Sequence, residues 1–116
     1  MSSVDYLDGC YDRQGRPVLD GAMWKQLFEN KRVAETTIGD SWVSTVHLVM
    51  DHGFGDGPPV IFETLVFGGP LANEMERYCT EAGALAGHAA MVARVQKAHE
   101  VDVAIPSPET LLGVKS

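Results

Sequence analysis

The sequence predicts an α+β domain: an antiparallel sheet of three or four strands, a short N-terminal helix, and a longer C-terminal helix packed on one face. Three observations predict it. Residues 33–67 contain three runs rich in Val, Ile and Thr, separated by Gly and Pro turn signals. Residues 81–100 contain an alanine-rich stretch with apolar residues at helical spacing. The connections between the runs are short, which favours sequence neighbours pairing as antiparallel strands.

In chain order, Tyr6 to Val18 holds two turn signals, Asp8-Gly9 and Asp12-Arg13-Gln14-Gly15-Arg16-Pro17, and reads as a weak strand or ordered arm. Asp20 is placed to cap a helix running to about Asn30, with Met23, Trp24, Leu27 and Phe28 on one side. Three strands are expected, at Val33–Gly39, Trp42–Asp51 and Val60–Phe67. Gly39-Asp40 makes a tight connection, and Gly68-Gly69-Pro70 stops the third strand. Leu71 to Cys79 reads as a polar loop carrying Arg77 and Tyr78. Thr80 then caps a helix from Glu81 to about Glu100, whose stripe of Leu85, Ala89, Val92 and Gln96 lies beside His88, Val95 and His99. Residues 1–100 form a single domain. Residues 101–116, with Pro106 and Pro108, read as an extended tail apolar enough at Val103, Ile105, Leu111 and Leu112 to dock on a partner subunit.

Bulk composition narrows the function classes. A chain of 116 residues is one domain. Nine basic against sixteen acidic residues give a net charge of −7, which argues against binding duplex nucleic acid. No run is long and apolar enough for a membrane span, and the N-terminus lacks the pattern of a signal peptide, so a cytoplasmic protein is expected. Cys10 and Cys79 stand far apart without a CxxC pattern and read as reduced thiols. No cofactor motif is present.

The stretch MDHGFGDGPPVIFET (Met50–Thr64) concentrates glycines, acids and prolines. It lacks the lysine and following helix of a phosphate loop, and Asp51, Asp56 and Glu63 do not fit the spacing of a calcium loop. The expected role is a long hairpin turn, with anion binding by the glycine amides as the second reading. His47 and His52 would lie on opposite strand faces, and His88 and His99 would be about 16 Å apart on one helix side, so no metal site is expected. Ser44, Cys10 and Cys79 sit in no nucleophile signature. Glu63, inside an apolar strand, is either an outward residue paired across the sheet with His47 or Thr45, or a pocket-lining group together with Thr64. Arg77, Tyr78, Arg94 and Lys97 form either a solvated surface or a set able to hold phosphate and stack on a base.

The strings VSTVHLVMDHGFGDGPPVIFETLVFGG (Val43–Gly69), RYCTE (Arg77–Glu81) and ALAGH (Ala84–His88) resemble a set of small phage and prophage proteins. These share an STV–DH–glycine-loop–FET–VF core followed by a YxT-capped helix containing AxxGH. The same core is similar to the phage Thoeris anti-defence sponge proteins, which sequester cyclic ADP-ribose-type signals made by bacterial TIR enzymes. The resemblance implies a sheet-plus-helix protomer that forms a homo-oligomer in the host cytoplasm and binds a small nucleotide-derived signal without cleaving it. Together with the Arg/Tyr cluster, it implies a pocket of Phe62, Glu63, Thr64, Arg77, Tyr78 and Arg94. Two other functions are open: an acidic inhibitor that binds a host enzyme or nucleic-acid-binding protein, and an enzyme using Glu63 and His47 as an acid–base pair.

Overall fold

Asp20 begins the first regular element. Its carboxylate accepts the Met23 amide at 2.8 Å and caps α1, Gly21–Glu29, and Asn30 closes the far end on Gln26 and Leu27 carbonyls. The computed structural model describes residues 8–53 and 55–100 in full, and the backbone of 101–104. Met23, Trp24 and Leu27 of α1 pack on Cys10, Val18 and Val49, a small cluster set apart from the main core. Among the described residues no helix is long and apolar enough to cross a membrane.

Four strands follow in a meander: β1 (Arg32–Ile38), β2 (Ser41–His47), β3 (Phe62–Phe67) and β4 (Met75–Tyr78), each antiparallel to the next. The long helix α2, Glu81–Ala104, lies across one face of all four. The α+β class and the packing of the C-terminal helix on the sheet are therefore as expected. Thr80 caps α2 as expected, its hydroxyl accepting the Gly83 amide at 3.0 Å.

Four details depart from expectation. The segment Leu71–Cys79 is not wholly loop. Met75–Tyr78 forms β4, in register with Phe62–Leu65. The second strand stops at His47 instead of Asp51, because Val49 takes a φ of +70°, a costly conformation for a β-branched residue that turns the chain out of the ladder. The last helix continues through residues 101–104, where the sequence predicts the start of the tail; the rest of that segment, 105–116, lies outside the described residues. The inward stripe of α2 is Ala84, His88, Met91 and Val95. Leu85, assigned to that stripe, is 50% exposed, and the small Ala84 beside it is fully buried.

The stretch 50–60 is a hairpin connection, as its turn chemistry suggests. Leu48 and His52 amides donate to the carbonyls of Ile61 and Val60. The Asp51 carboxylate closes the neck by accepting the amides of Val60 and Gly53, both at 2.8 Å, and these donors hold its pKa below the usual value.

The main core lies between α2 and the sheet. Val43 and Val66 meet Met91 and Val95, and Ile61 and Phe62 meet Ala84 with Tyr11, Val33 and Tyr78 at the margin. The N-terminal arm is fastened beside it. The buried Asp12 carboxylate accepts amides of Gln14 and Arg16, and Arg13 reaches Glu81 and the carbonyls of Asn30 and Arg32.

Candidate functional site

Each strand contributes one hydroxyl to a single hydrogen-bonded chain beneath α2. Strand alternation brings Thr36, Thr45, Thr64 and Tyr78 to the inward face, and His88 meets them from the helix. The His88 ring contacts Thr36 Oγ1 at 2.9 Å through Nε2 and Thr45 Oγ1 at 2.7 Å through Nδ1. Thr45 and Thr64 are 2.6 Å apart, and the Tyr78 hydroxyl donates to Thr64 at 3.2 Å. One direction satisfies every link: Tyr78 donates to Thr64, Thr64 to Thr45, Thr45 to Nδ1, and Nε2–H to Thr36. That direction requires a neutral His88, and burial does lower the pKa of its imidazolium.

The six residues of the expected pocket do not converge. Phe62, Thr64 and Tyr78 face α2 and belong to the core or the hydroxyl chain. Glu63 and Arg77 face the opposite side of the sheet, joined through Arg77 Nε and Glu63 Oε2 at 3.0 Å. Arg94 lies on α2 and pairs with Glu74, its second nitrogen resting on Met91 sulfur. Glu63 is thus an outward, cross-strand-paired residue, but its partner is Arg77. Its register neighbour on β2 is Val46, whereas Thr45 and His47 face inward opposite Thr64 and Phe62. The acid–base pair of Glu63 and His47 is not formed, since the two point to opposite faces.

His47 is fully buried, and among the described residues neither ring nitrogen has a hydrogen-bond partner. Its ring packs against Phe62 with centroids 5.1 Å apart. Burial lowers its pKa from 6.5, the Arg13 guanidinium lowers it further, and weaker pulls from the nearby Tyr11 carbonyl, Asp12 and Glu81 oppose them. The unfolded chain therefore takes up a proton near pH 6.5 that the folded chain refuses. The stability is complete above that pH and falls as pH drops through it, by at most about 1.4 kcal/mol per pH unit. His47→Leu removes two unpaired nitrogens at similar volume. At pH 7.5 it is expected to leave stability unchanged or raise it by up to about 1 kcal/mol, and to flatten the loss between pH 7 and 5, read by urea unfolding at both pH values. A loss above about 2 kcal/mol at pH 7.5 would show that the nitrogens are satisfied in solution.

A Ser–His–Asp grouping also exists, unsuspected from sequence, where Ser41 Oγ lies 2.8 Å from His99 Nε2 and Asp40 Oδ1 lies 3.6 Å from the same nitrogen. It is not a catalytic triad. The Ser41 hydroxyl is within reach of the Gly68 carbonyl at 3.1 Å, and Asp40 meets the same ring nitrogen as Ser41, whereas a triad needs the acid on the opposite nitrogen, Nδ1. Ser41 is also only 1% exposed. The group ties α2 to the β1–β2 turn, where the His99 ring lies against Gly39. Cys10 and Cys79 are free thiols, and burial raises the pKa of Cys10, away from nucleophilic chemistry. Among the described residues no group of three His, Cys, Asp or Glu side chains is placed to hold a metal ion.

What remains is the outward face of the sheet, on which no helix packs among the described residues. Reading across the strands, its rows are Thr37, Trp42 and Phe67; Glu35, Ser44, Leu65 and Met75; and Val46, Glu63 and Arg77. Trp42 and Phe67 pack with their rings tilted by 30° and centroids 5.0 Å apart. The Trp42 indole donates to Glu35 at 3.1 Å, Glu35 pairs with Arg32 at 2.8 Å, and the Arg32 guanidinium lies over the indole. At the other end, Glu63 is 16% exposed and holds Arg77 by Nε alone, and no contact within the described residues occupies the two terminal nitrogens of Arg77. Comparison with known protein families, with curated proteins and with solved structures finds no match.

Proposed function

We propose that this chain is a non-enzymatic binding protein that sequesters a small nucleotide-derived signal of the cyclic ADP-ribose type, releasing it intact. The observation that carries this reading is the Glu63–Arg77 pair on the uncovered face. A guanidinium fixed through Nε presents its two terminal nitrogens as a fork, which matches two phosphate oxygens without first ordering the side chain. Three of the four histidines are committed elsewhere: His88 and His99 to hydrogen bonds within the fold, and His47 to the core.

Isothermal titration with cyclic ADP-ribose isomers and cyclic oligonucleotides tests the proposal. One of them is expected to give heat, and Arg77→Ala to weaken that binding roughly 10- to 100-fold. Heating the complex is expected to return the ligand unaltered, whereas consumed ligand would indicate an enzyme. Absence of heat with every compound overturns the reading and favours the acidic inhibitor of a host protein.

A further inference from the structure

The arm, residues 9–18, is a hairpin that holds its own shape. The Val18 amide donates to the Cys10 carbonyl at 3.0 Å, the Asp12 amide donates to the Arg16 carbonyl at 2.8 Å, and the Asp12 carboxylate organises the turn between them. Separate contacts tie it to the body of the protein. The Tyr11 amide donates to the Val49 carbonyl and the Asp51 amide to the Gly9 carbonyl, both at 2.7 Å. Arg13 pins the tip to Glu81 at 3.0 Å and to the carbonyls of Asn30 and Arg32 at 2.8 Å. Tyr11 packs against Ile61, Phe62 and Ala84, and Cys10 and Val18 pack on Val49 and α1. A supersecondary unit with internal hydrogen bonds can open as one piece while the rest of the molecule stays folded.

His47 lies beneath this hairpin, at the end of β2. The charged groups that bear on its ring are Arg13 and Asp12 of the arm and Glu81 at the start of α2, and β3 faces it with the Phe62 ring. An imidazolium there would be cut off from water, without a hydrogen-bond partner among the described residues, and beside the guanidinium that pins the arm. On the sheet side, β2 is held by β1 and β3, and β3 by β4. The arm is the cover that can yield: lifting it hydrates the ring and takes Arg13 away. Asp12 does not titrate in the same range. Burial pushes its carboxyl up, but the hydrogen bonds from Arg16 and Gln14 outweigh that and hold it below the usual carboxylate value.

We propose that the arm is an acid-sensitive latch: protonation of His47 lifts residues 9–18 and uncovers Ile61, Phe62 and Ala84, an apolar surface that the closed protein hides. The open form takes its proton near the ordinary histidine value of about 6.5, and the closed form refuses it. The arm is therefore held fully above that pH and progressively released below it, the opening equilibrium rising about tenfold between pH 7.5 and pH 5.5. Arg77 lies on the other face of the sheet, so the latch does not depend on the ligand reading.

Cys10, buried in the arm, reports the opening, and Cys79→Ala leaves it as the single thiol of the full chain. Its rate of reaction with 4,4′-dithiodipyridine, divided by the rate for the urea-unfolded chain at the same pH, gives the open fraction. That fraction is expected to rise about tenfold from pH 7.5 to pH 5.5. Its dependence on low urea is expected to be shallow, which separates a lifted arm from global unfolding. His47→Leu, and equally His47→Gln, which takes up no proton, are expected to abolish the rise, whereas His88→Leu keeps it. Arg13→Ala is expected to raise the open fraction already at pH 7.5. The latch is overturned by an open fraction that does not change with pH, by a rise that survives both His47 variants or is lost with His88→Leu, by an Arg13→Ala arm as closed as its parent, or by a urea dependence as steep as that of global unfolding.

Discussion

His88→Leu is expected to lower the unfolding free energy by about 2–3 kcal/mol, read by urea unfolding at pH 7.5. Leucine fills the space between α2 and the sheet, so little of the effect is cavity formation. The loss comes from Thr45, fully buried, which loses its acceptor at 2.7 Å, and from Thr36, which loses its donor at 2.9 Å. A buried hydroxyl left without a partner costs about 1–3 kcal/mol, whereas removing both ends of a hydrogen bond together is nearly neutral. That asymmetry yields a sharper expectation than the single variant. Thr45→Val alone is expected to cost about 2 kcal/mol, because it strands His88 Nδ1 and Thr64, yet in the His88→Leu background it should cost close to nothing. Additive losses would mean that the two groups do not share a network. The pH profile supplies a second check. Burial lowers the His88 pKa, so the folded chain resists a proton that the unfolded chain accepts near pH 6.5. Stability therefore declines as pH falls through that value, and His88→Leu should make the decline shallower.

The hydroxyl chain also explains what could and could not be read from the residues alone. Alternation in Trp42–Asp51 separates Val43, Thr45, His47 and Val49 from Val46, Leu48 and Met50, and the structure keeps that separation. Alternation does not say which set is inward, and the more polar set is. Thr45 can be buried only because Thr64 and His88 arrive from 19 and 43 residues away, and no local pattern records that. Strand β4 is invisible in the sequence for a related reason. Met75, Glu76 and Arg77 are all exposed, so the segment shows no alternation, and it is a strand only through its pairing with β3. On α2 the period was visible, but its phase was set by side-chain size, favouring Leu85 over Ala84. A helix that must lie close to a sheet places its small residues inward instead. Arg13 appeared only as part of a turn signal, yet it joins the arm to α2 and to the start of β1. The expected pocket rests on residue types, and a one-residue step along β3 sends Glu63 and Thr64 to opposite faces.

Gly87→Ala is expected to destabilise the protein, although a substitution of this kind inside a helix usually helps. Replacing a helical glycine by alanine gains about 1 kcal/mol from backbone entropy and propensity. Here an added Cβ would overlap the Tyr78 ring and hydroxyl, which lie directly against the glycine. The ring cannot yield without cost, since its hydroxyl donates to Thr64 and its face packs with Ile61, Phe62 and Ala84. Overpacking of this kind costs about 1–3 kcal/mol, and losing the phenol hydrogen bond adds about 1 kcal/mol. The net expectation is a loss of about 1–3 kcal/mol, seen as a lower Tm with unchanged helical signal. The decisive experiment removes the obstacle. In a Tyr78→Ala background the overlap is gone, and Gly87→Ala should change sign, raising stability by about 1 kcal/mol relative to Tyr78→Ala alone. A loss of the same size in both backgrounds would mean that Gly87 is required for a reason other than the approach of Tyr78. The sign reversal also links three of the sequence fragments physically. Thr64 of FET accepts from Tyr78 of YxT, and Tyr78 can reach it only because AxxGH offers no side chain at Gly87, while the next residue, His88, closes the same hydroxyl chain from the helix.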